Sequence, residues 1–258
     1  MSEIHDKKDL RNIAIKNIGI CDYYVPFTFV NGEEEYITIC EIKAGVSLDS
    51  ETKGAHLSRI NMILNKELVN KKLDISKIRK MIKTIAEEVG VNNANLEMNF
   101  KICFNFKTPK SNLNTTLFSN VKIYVEASDD EIIKEFITIG ANAAMLCPNS
   151  KAKSRYGAHS QKCIINATLW DNISKVNVKE IYSILCNSGS APVFDIVRSV
   201  DEVYMTETAY DNPKFSEDAI RDALISIRKK YKKGKIVVEL VNLESIHQHN
   251  VCCKGELQ

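Results

Sequence analysis

The chain has 258 residues, of which 44% are hydrophobic and 26% charged, so it can bury a sizeable core and global disorder is disfavoured. Its 35 Lys and Arg residues nearly balance 33 Asp and Glu residues, which argues against a dedicated nucleic-acid-binding surface. No apolar run reaches the ~18–20 residues of a membrane span, and the polar start lacks a signal peptide, so we expect a cytoplasmic protein with reduced thiols.

Residue periodicity in the first half predicts the order β-β-α-α-β-β. The predicted elements span residues 12–21, 35–48, 55–70, 76–89, 95–106 and 121–127. The strands are rich in β-branched or alternating apolar residues, and the helices carry apolar residues at helical spacing. Asn31-Gly32 predicts a turn between the first two strands, and Gly90 a helix end.

The second half repeats this order loosely. Its predicted elements span residues 135–146, 162–170, 178–187, 216–230, 235–243 and 250–254, the first being a strand or a strand–helix hybrid. The repetition predicts an α+β fold of two tandem modules, each an antiparallel sheet backed by a helix pair. We therefore expect a flexible tail at 1–10, an N-terminal module at 11–130 and a C-terminal module at 131–258 that carries most site residues. Open sheet edges predict closure through oligomerisation.

The eight cysteines fall into different settings. Cys21, Cys40, Cys103 and Cys186 lie in apolar surroundings and are interpreted as small buried hydrophobes. Cys147 differs, because it ends an apolar strand and is followed by Pro148.

The segment from Cys147 to His159 is the centre of the predicted active site. Cys147 ends one strand and His159 precedes the next, so a thiolate and an imidazole are expected at the mouths of adjacent strands. Zn²⁺ prefers sulfur and nitrogen ligands, and a catalytic site keeps one position open, so a third protein ligand is expected, most naturally a carboxylate. The alternative interpretation is a tight loop with an incidental cysteine.

Two polar clusters follow later in the chain. Within Glu244–His249, extended geometry places His247 and His249 on one face, where they can form a metal or acid–base pair. The alternative is a polar strand end. In the acidic stretch 201–218, Glu217 either complements a helix dipole or accepts two N–H bonds from a guanine-like edge.

An earlier cluster, Lys53–Arg59, combines glycine with flanking cations just before a helix. This arrangement suits an anionic ligand. Surface Lys-Gly turns are common, however, so the cluster is weak evidence when taken alone.

Taken in chain order, these clusters resemble the prokaryotic type IB GTP cyclohydrolase family. The resemblance rests on Lys53-Gly54-Ala55-His56-Leu57-Ser58-Arg59, Cys147-Pro148-Asn149-Ser150-Lys151, Gly157-Ala158-His159-Ser160-Gln161-Lys162, Asn212-Pro213-Lys214-Phe215-Ser216-Glu217-Asp218 and Glu244-Ser245-Ile246-His247-Gln248-His249. It spans nearly the whole chain. It implies the tunnelling fold, a homotetramer with sites at subunit interfaces, and a hydrolase that converts GTP and water to 7,8-dihydroneopterin triphosphate and formate.

The resemblance also implies a role for each matched residue. The implied metal ligands are Cys147, His159 and Glu202, with zinc expected first and iron or manganese as alternatives. The implied catalytic residues are His56, Asn149, Glu244, His247 and His249. Glu217 matches the carboxylate that anchors the guanine. Phosphate or other substrate contacts are implied for Lys53, Arg59, Lys151, Lys162 and Lys214.

Asn149 stands where the family has a second cysteine. Asparagine exchanges hydrogen bonds but is neither a nucleophile nor a useful base. Lys162 and Ser199 each replace a family arginine. Because these changes cluster at the site, two alternatives stay open: a diverged paralogue acting on a related purine nucleotide or pterin, and a non-catalytic purine-binding protein. The intact metal ligands disfavour the latter.

Overall fold

The computed structural model describes residues 8–258. Most of the predicted tail, including His5, lies outside the described residues. At their start, Lys8 forms an isolated antiparallel bridge with Thr52, and its Nζ lies 2.8 Å from a Glu51 carboxylate oxygen. Among the described residues, no helix is long and apolar enough to cross a membrane.

The described chain forms a mixed α+β fold whose sheet is largely antiparallel. The strands are β1 (Ile15–Asn31), β2 (Glu34–Leu48), β3 (Lys72–Leu73), β4 (Asn93–Lys107), β5 (Asn114–Ser128), β6 (Glu131–Leu146), β7 (Ser160–Trp170), β8 (Ala191–Pro192), β9 (Ile236–Asn242) and β10 (Val251–Leu257). The helices are α1 (Leu57–Leu68), α2 (Ile75–Val89), α3 (Pro148–Lys153), α4 (Val178–Ser188), α5 (Ser199–Asp211) and α6 (Ser216–Lys230).

The chain divides into two compact units. One combines the residues up to Lys101 with Lys122–Ile137, and the other combines Ile102–Val121 with Thr138–Gln258. These units differ from the predicted modules 11–130 and 131–258, because β4, β5 and β6 each contribute residues to both units. The modules therefore stay a prediction about the organisation of the sequence.

In the first unit, α1 and α2 cover a sheet with the neighbour order β3-β1-β2-β4. The β1–β2 turn passes through Gly32, whose φ of 66° is a conformation that glycine adopts without a Cβ penalty. On the covered face, the Phe27 and Phe29 rings each lie 5.2 Å from the Phe100 ring. The alternating apolar residues of these strands thus become a packed core.

A buried ion pair ties α2 to β6 in this unit. Arg79 donates Nε–H and Nη2–H to the two carboxylate oxygens of Glu135 at 2.7 and 2.5 Å. The Glu135 side chain is only 8% exposed. Removing one partner of such a pair leaves a buried charge uncompensated and costs about 3–5 kcal/mol.

In the second unit, β7, β9 and β10 run antiparallel in that order, and α6 packs on β9 and β10. Gly255 permits this packing, since a Cβ there would lie 2.7 Å from Cγ2 of Ile220. The Phe104 ring lies 4.7 Å from the Tyr182 ring of α4. Glycine thus allows α6 to pack closely on the sheet, and an aromatic contact joins α4 to β4.

The structure corrects several sequence-based expectations. β1 continues to Asn31 rather than ending at residue 21, because Asp22, with a φ of 54°, lies in a register shift that the strand passes through. α5 was not predicted, since it buries only Asp201 and Ala209 and carries no apolar stripe. Cys40 and Cys186 are buried as predicted, whereas the prediction is wrong for Cys21 and Cys103, which are exposed.

Candidate active site

The segment between β6 and β7 is closed by hydrogen bonds that converge on Ser150. Its backbone N–H donates to Cys147 Sγ at 3.4 Å, and its hydroxyl donates to the Cys147 carbonyl at 3.2 Å. The same hydroxyl accepts from the backbone N–H of His159 at 3.3 Å. The backbone N–H of Cys147 donates to the His159 carbonyl at 3.2 Å. The predicted meeting of Cys147 and His159 is therefore seen within the second unit.

The surroundings of Cys147 favour its thiolate form. Burial alone raises the pKa of this half-buried thiol, but hydrogen bonds from the backbone and side chain of Ser150, from His159 and from the Asn149 backbone outweigh that effect. The pKa of Cys147 therefore lies below its ordinary value. Because the thiolate is both the nucleophile and the metal ligand, this environment suits the predicted role.

His159 is linked to Glu244 through Gln161. The His159 Nδ1 atom lies 2.8 Å from Oε1 of Gln161. The Gln161 Nε2–H donates to Glu244 Oε1 at 3.4 Å, and the Asn242 Nδ2–H donates to the same oxygen at 3.1 Å. Gln161 thus bridges the predicted catalytic residue Glu244 and the predicted metal ligand His159.

His247 and His249 lie in the exposed segment between β9 and β10. Their rings stack with centroids 5.0 Å apart and an interplanar angle of 10°. The two rings therefore lie side by side, but in a loop and not in the extended strand on which the predicted shared face depended. Glu217 is exposed in the first turn of α6, where its charge contributes to raising the pKa of Cys253, after the larger effect of burial.

Glu202 is exposed in the first turn of α5, next to the fully buried Asp201. The Asp201 carboxylate accepts the backbone N–H groups of Lys110 and Ser111, each at 2.9 Å, and that of Arg198 at 3.0 Å. The Ser111 hydroxyl also donates to it. Asp201 thus fixes the β4–β5 connection against the start of α5, which carries Glu202.

Within residues 8–258, no three or more His, Cys, Asp or Glu side chains form a group that could hold a metal ion. Cys147 and His159 are brought together as a pair, but the described chain does not add Glu202 to them as a third member. The assignment of Glu202 as a ligand stays a prediction.

The three predicted substrate-binding lysines of the second unit have different surroundings. Lys162 is exposed on β7. Lys151 donates to the Tyr210 carbonyl at the end of α5, and its Nζ lies 4.2 Å from the centre of the Tyr210 ring. Lys214 is only 14% exposed, with its Nζ 2.8 Å from an Asp222 carboxylate oxygen and 3.0 Å from the Ser188 carbonyl. Lys214 therefore joins α4 to α6.

Lys53, His56 and Arg59 belong to the first unit. Lys53 is exposed, and half-buried His56 immediately precedes α1. His56 and Gly54 line a cavity of about 450 Å³ that Lys8 and Glu51 also line. Arg59 donates to the Glu88 carbonyl on α2 at 2.9 Å. His56 therefore borders a cavity that lies within its own unit.

Ser150, Gln161 and Asp201 are the site residues that sequence reasoning did not single out. Ser150 and Gln161 lie inside the motifs that carried the resemblance, and Asp201 begins the acidic stretch 201–218. Each of the three acts through hydrogen bonds to a neighbour rather than through its own reactivity. The only sequence feature that could have indicated them is their position within these segments.

Several solved structures with a similar fold are uricases. The uricase from Arthrobacter globiformis aligns over 100% of this chain and 96% of its own, with a TM-score of 0.56 and 9% identity. A uricase from Bacillus fastidious aligns over 93% of each chain, with a TM-score of 0.55 and 10% identity. At such low identity the likeness concerns the fold alone, and it supports the predicted tunnelling fold.

Sequence comparison identifies the family. The GTP cyclohydrolase FolE2 of Dictyoglomus turgidum is 30% identical over 252 residues, which cover 97% of this chain and 95% of that protein. The GTP cyclohydrolase FolE2 of Geobacter sp. strain M21 is 31% identical over 252 residues, covering 97% and 92%. The family model described as type I GTP cyclohydrolase folE2 matches residues 1–253. The chain therefore belongs to the type I GTP cyclohydrolase FolE2 family.

Proposed function

We propose that this protein is a metal-dependent GTP cyclohydrolase that converts GTP and water to 7,8-dihydroneopterin triphosphate and formate. The observation that carries the proposal is the Cys147–His159 pair, held together by Ser150 in a chain of the FolE2 family. Opening the guanine imidazole ring requires addition of water at C8 and then loss of the formyl group. A thiolate and a correctly oriented imidazole are the groups that such a hydrolytic centre needs.

The chemistry of the donor pair fits a divalent metal, with zinc first and iron or manganese as alternatives. The lowered pKa of Cys147 favours the form that binds metal, and Gln161 engages Nδ1 of His159, which leaves Nε2 for a ligand. Glu202 is the proposed third ligand. When bound, the metal supplies Lewis acidity, which makes water a stronger nucleophile near neutral pH.

The remaining residues are proposed to bind the nucleotide and move protons. His247 and His249 are exposed and stacked, and imidazole side chains can exchange protons during ring opening and reclosure. Glu217 is proposed to accept two N–H groups of the guanine, and exposed Lys162 to contact the triphosphate. Lys53 and Arg59 of the first unit are proposed as substrate-binding residues, and His56 as a catalytic residue.

The proposed assembly is a homotetramer of chains that each contain two tunnelling-fold modules. The module is supported by the element order of the first half, which is β1-β2-α1-α2-β4-β5 when the short strand β3 is left out. The oligomer is supported by the open sheet edge of the second unit. In the described chain, β10 pairs with β9 on one side, and β10 is the last strand in the sheet order. Pairing of such an edge with another copy would satisfy its backbone groups.

A second candidate function is favoured by one residue, Asn149. It is exposed on α3, two residues from Cys147, where the family has a thiol. An enzyme with an amide at this position is proposed to act on a related purine nucleotide or pterin instead of GTP. The two candidates share the metal site and differ in substrate.

The test is incubation of the zinc-loaded protein with GTP, followed by measurement of formate and of a fluorescent oxidised pterin. We expect one formate for each GTP consumed. Formation of neither product, with zinc bound and GTP intact, would reject the cyclohydrolase proposal. A parallel incubation with other purine nucleotides and reduced pterins would then test the second candidate.

A further inference from the structure

We propose that Glu244 and Gln161 form a positioning relay that fixes the tautomer of His159 and leaves the lone pair of its Nε2 atom available to a ligand. The proposal rests on the proposed function in taking His159 as a metal ligand. Gln161 then acts by orienting His159, although an amide side chain is not itself reactive. Glu244 acts on His159 indirectly, by orienting Gln161.

The relay begins at Glu244, because an ionised carboxylate accepts hydrogen bonds and has none to give. Its Oε1 atom receives the Asn242 Nδ2–H at 3.1 Å. The same oxygen lies 3.4 Å from the Gln161 amide. The Gln161 group that faces Glu244 must therefore be the NH₂ group.

This orientation decides which Gln161 atom faces the histidine. With Nε2 directed at Glu244, the atom 2.8 Å from His159 Nδ1 is the carbonyl oxygen Oε1. The Ser245 hydroxyl donates to the same oxygen at 3.3 Å. Since Oε1 only accepts, Nδ1 must carry the hydrogen. Nε2 is then the ring atom left to hydrogen-bond with the Cys147 side chain, and it carries the lone pair whenever the ring is neutral.

The scaffold keeps the relay in place. Asn242 on β9 is the strand partner of Cys163 on β7, and Gln161 lies two residues before Cys163 on the same strand face. The Leu243 backbone N–H donates to the Lys162 carbonyl at 3.0 Å, so pairing continues past the end of β9 towards Glu244. Groups on paired strands hold an orientation more firmly than groups on a loop.

The relay is tested by nitrogen-15 NMR of the full-length protein labelled at histidine, recorded at pH 8. The His159 signal is identified by its loss in His159→Ala. We expect the Nδ1–H tautomer in the metal-free wild type. Gln161→Leu should lose this preference, and its zinc affinity should fall by about 10–100-fold.

Two conservative variants separate positioning from general structure. Gln161→Glu keeps an acceptor opposite Nδ1 and should keep the Nδ1–H tautomer. Glu244→Gln can either donate or accept, so it should allow both Gln161 orientations and give mixed tautomers. The matched control is Gln258→Leu at the C-terminal residue, which should change neither the tautomer nor zinc affinity.

An Nε2–H tautomer in the wild type would overturn the relay, and so would unchanged zinc affinity and tautomer in folded Gln161→Leu. Neither readout depends on GTP turnover. If the tautomer and affinity shift as expected while the zinc-loaded wild type leaves GTP intact, the relay stands and the proposed reaction fails.

Discussion

The backbone N–H of Cys147 donates a hydrogen bond to the carbonyl oxygen of His159 across 3.2 Å. This contact closes the segment between β6 and β7 into a loop that starts at the thiol and ends at the imidazole. Ser150 reinforces the closure from inside the loop through the Cys147 carbonyl and the His159 N–H. The backbone itself therefore joins the two residues at the ends of the loop.

Replacing Cys147 with alanine should abolish stoichiometric zinc binding, because the change removes one of the two donors that the loop brings together. The fold should persist, since Cys147 is only half-buried. Zinc content after dialysis, measured by mass spectrometry, checks the expectation. Cys252→Ala, at an exposed cysteine, is the control and should keep its zinc. Full zinc occupancy in Cys147→Ala would reject Cys147 as a ligand.

Replacing Asn149 with cysteine should raise kcat for GTP by at least about tenfold, because a thiol can transfer protons or attack substrate where an amide cannot. Asn149 is exposed on α3, so the smaller thiol fits without repacking. Steady-state formate release measures the effect. Asn149→Ser, which keeps a small polar group without a thiol, should show no increase in kcat for GTP. An equal kcat in wild type and Asn149→Cys would show that the second thiol is dispensable.

Lys162 and Lys214 should respond differently to replacement by methionine. Lys162 is exposed on β7, so Lys162→Met should raise KM for GTP by about tenfold, the loss of one charge-assisted contact. Lys214 is 14% exposed and paired with Asp222, so Lys214→Met should lower the free energy of unfolding by about 2 kcal/mol. Kinetics and urea unfolding of both variants test the contrast. A stability loss in Lys162→Met with unchanged KM would reverse the assignment.

Acid stability should depend on Asp201. Burial raises the pKa of this carboxyl, but hydrogen bonds from Ser111, Arg198 and Lys110 outweigh it and hold the pKa well below its usual range. A lowered folded-state pKa stabilises the fold above the unfolded value of about 3.9 and loses that contribution as the pH falls below it.

The melting temperature of the wild type should therefore exceed that of Asp201→Asn by several degrees from pH 5 to 8. This difference in melting temperature should narrow from about pH 4 downward. Melting followed by circular dichroism at each pH measures it. Asp211→Asn, at an exposed carboxylate, is the control. A gap that stays constant down to pH 2 would show that Asp201 does not act through its charge.

The sequence predicts the regular strands and helices wherever their apolar residues follow a periodic pattern. The helix α2 shows this, because Asp74 caps it through the Lys77 N–H and Gly90 ends it with a φ of 77°, both readable from residue type. The helix α5 had no such pattern, since it buries only Asp201 and Ala209 and its valines are exposed. Strand ends were also missed where a register shift carried the pairing past a polar residue such as Asp22.

At the site, reactive residue types were predictable and their supporting contacts were not. Cys147 and His159 stand at strand ends that periodicity can locate. The contribution of Gln161 depends on β7 and β9 pairing in one register, which places its amide between His159 and Glu244. Long-range register of this kind is not encoded in any short motif.

We propose that this chain hydrolyses GTP at the Cys147–His159 centre. The most direct measurement is release of labelled formate from [8-¹³C]GTP by the zinc-loaded wild type, with Cys147→Ala assayed beside it. We expect the label to leave C8 as formate, one for each GTP consumed, and Cys147→Ala to release none. Absence of labelled formate from the zinc-loaded wild type, or equal release by Cys147→Ala, would contradict it.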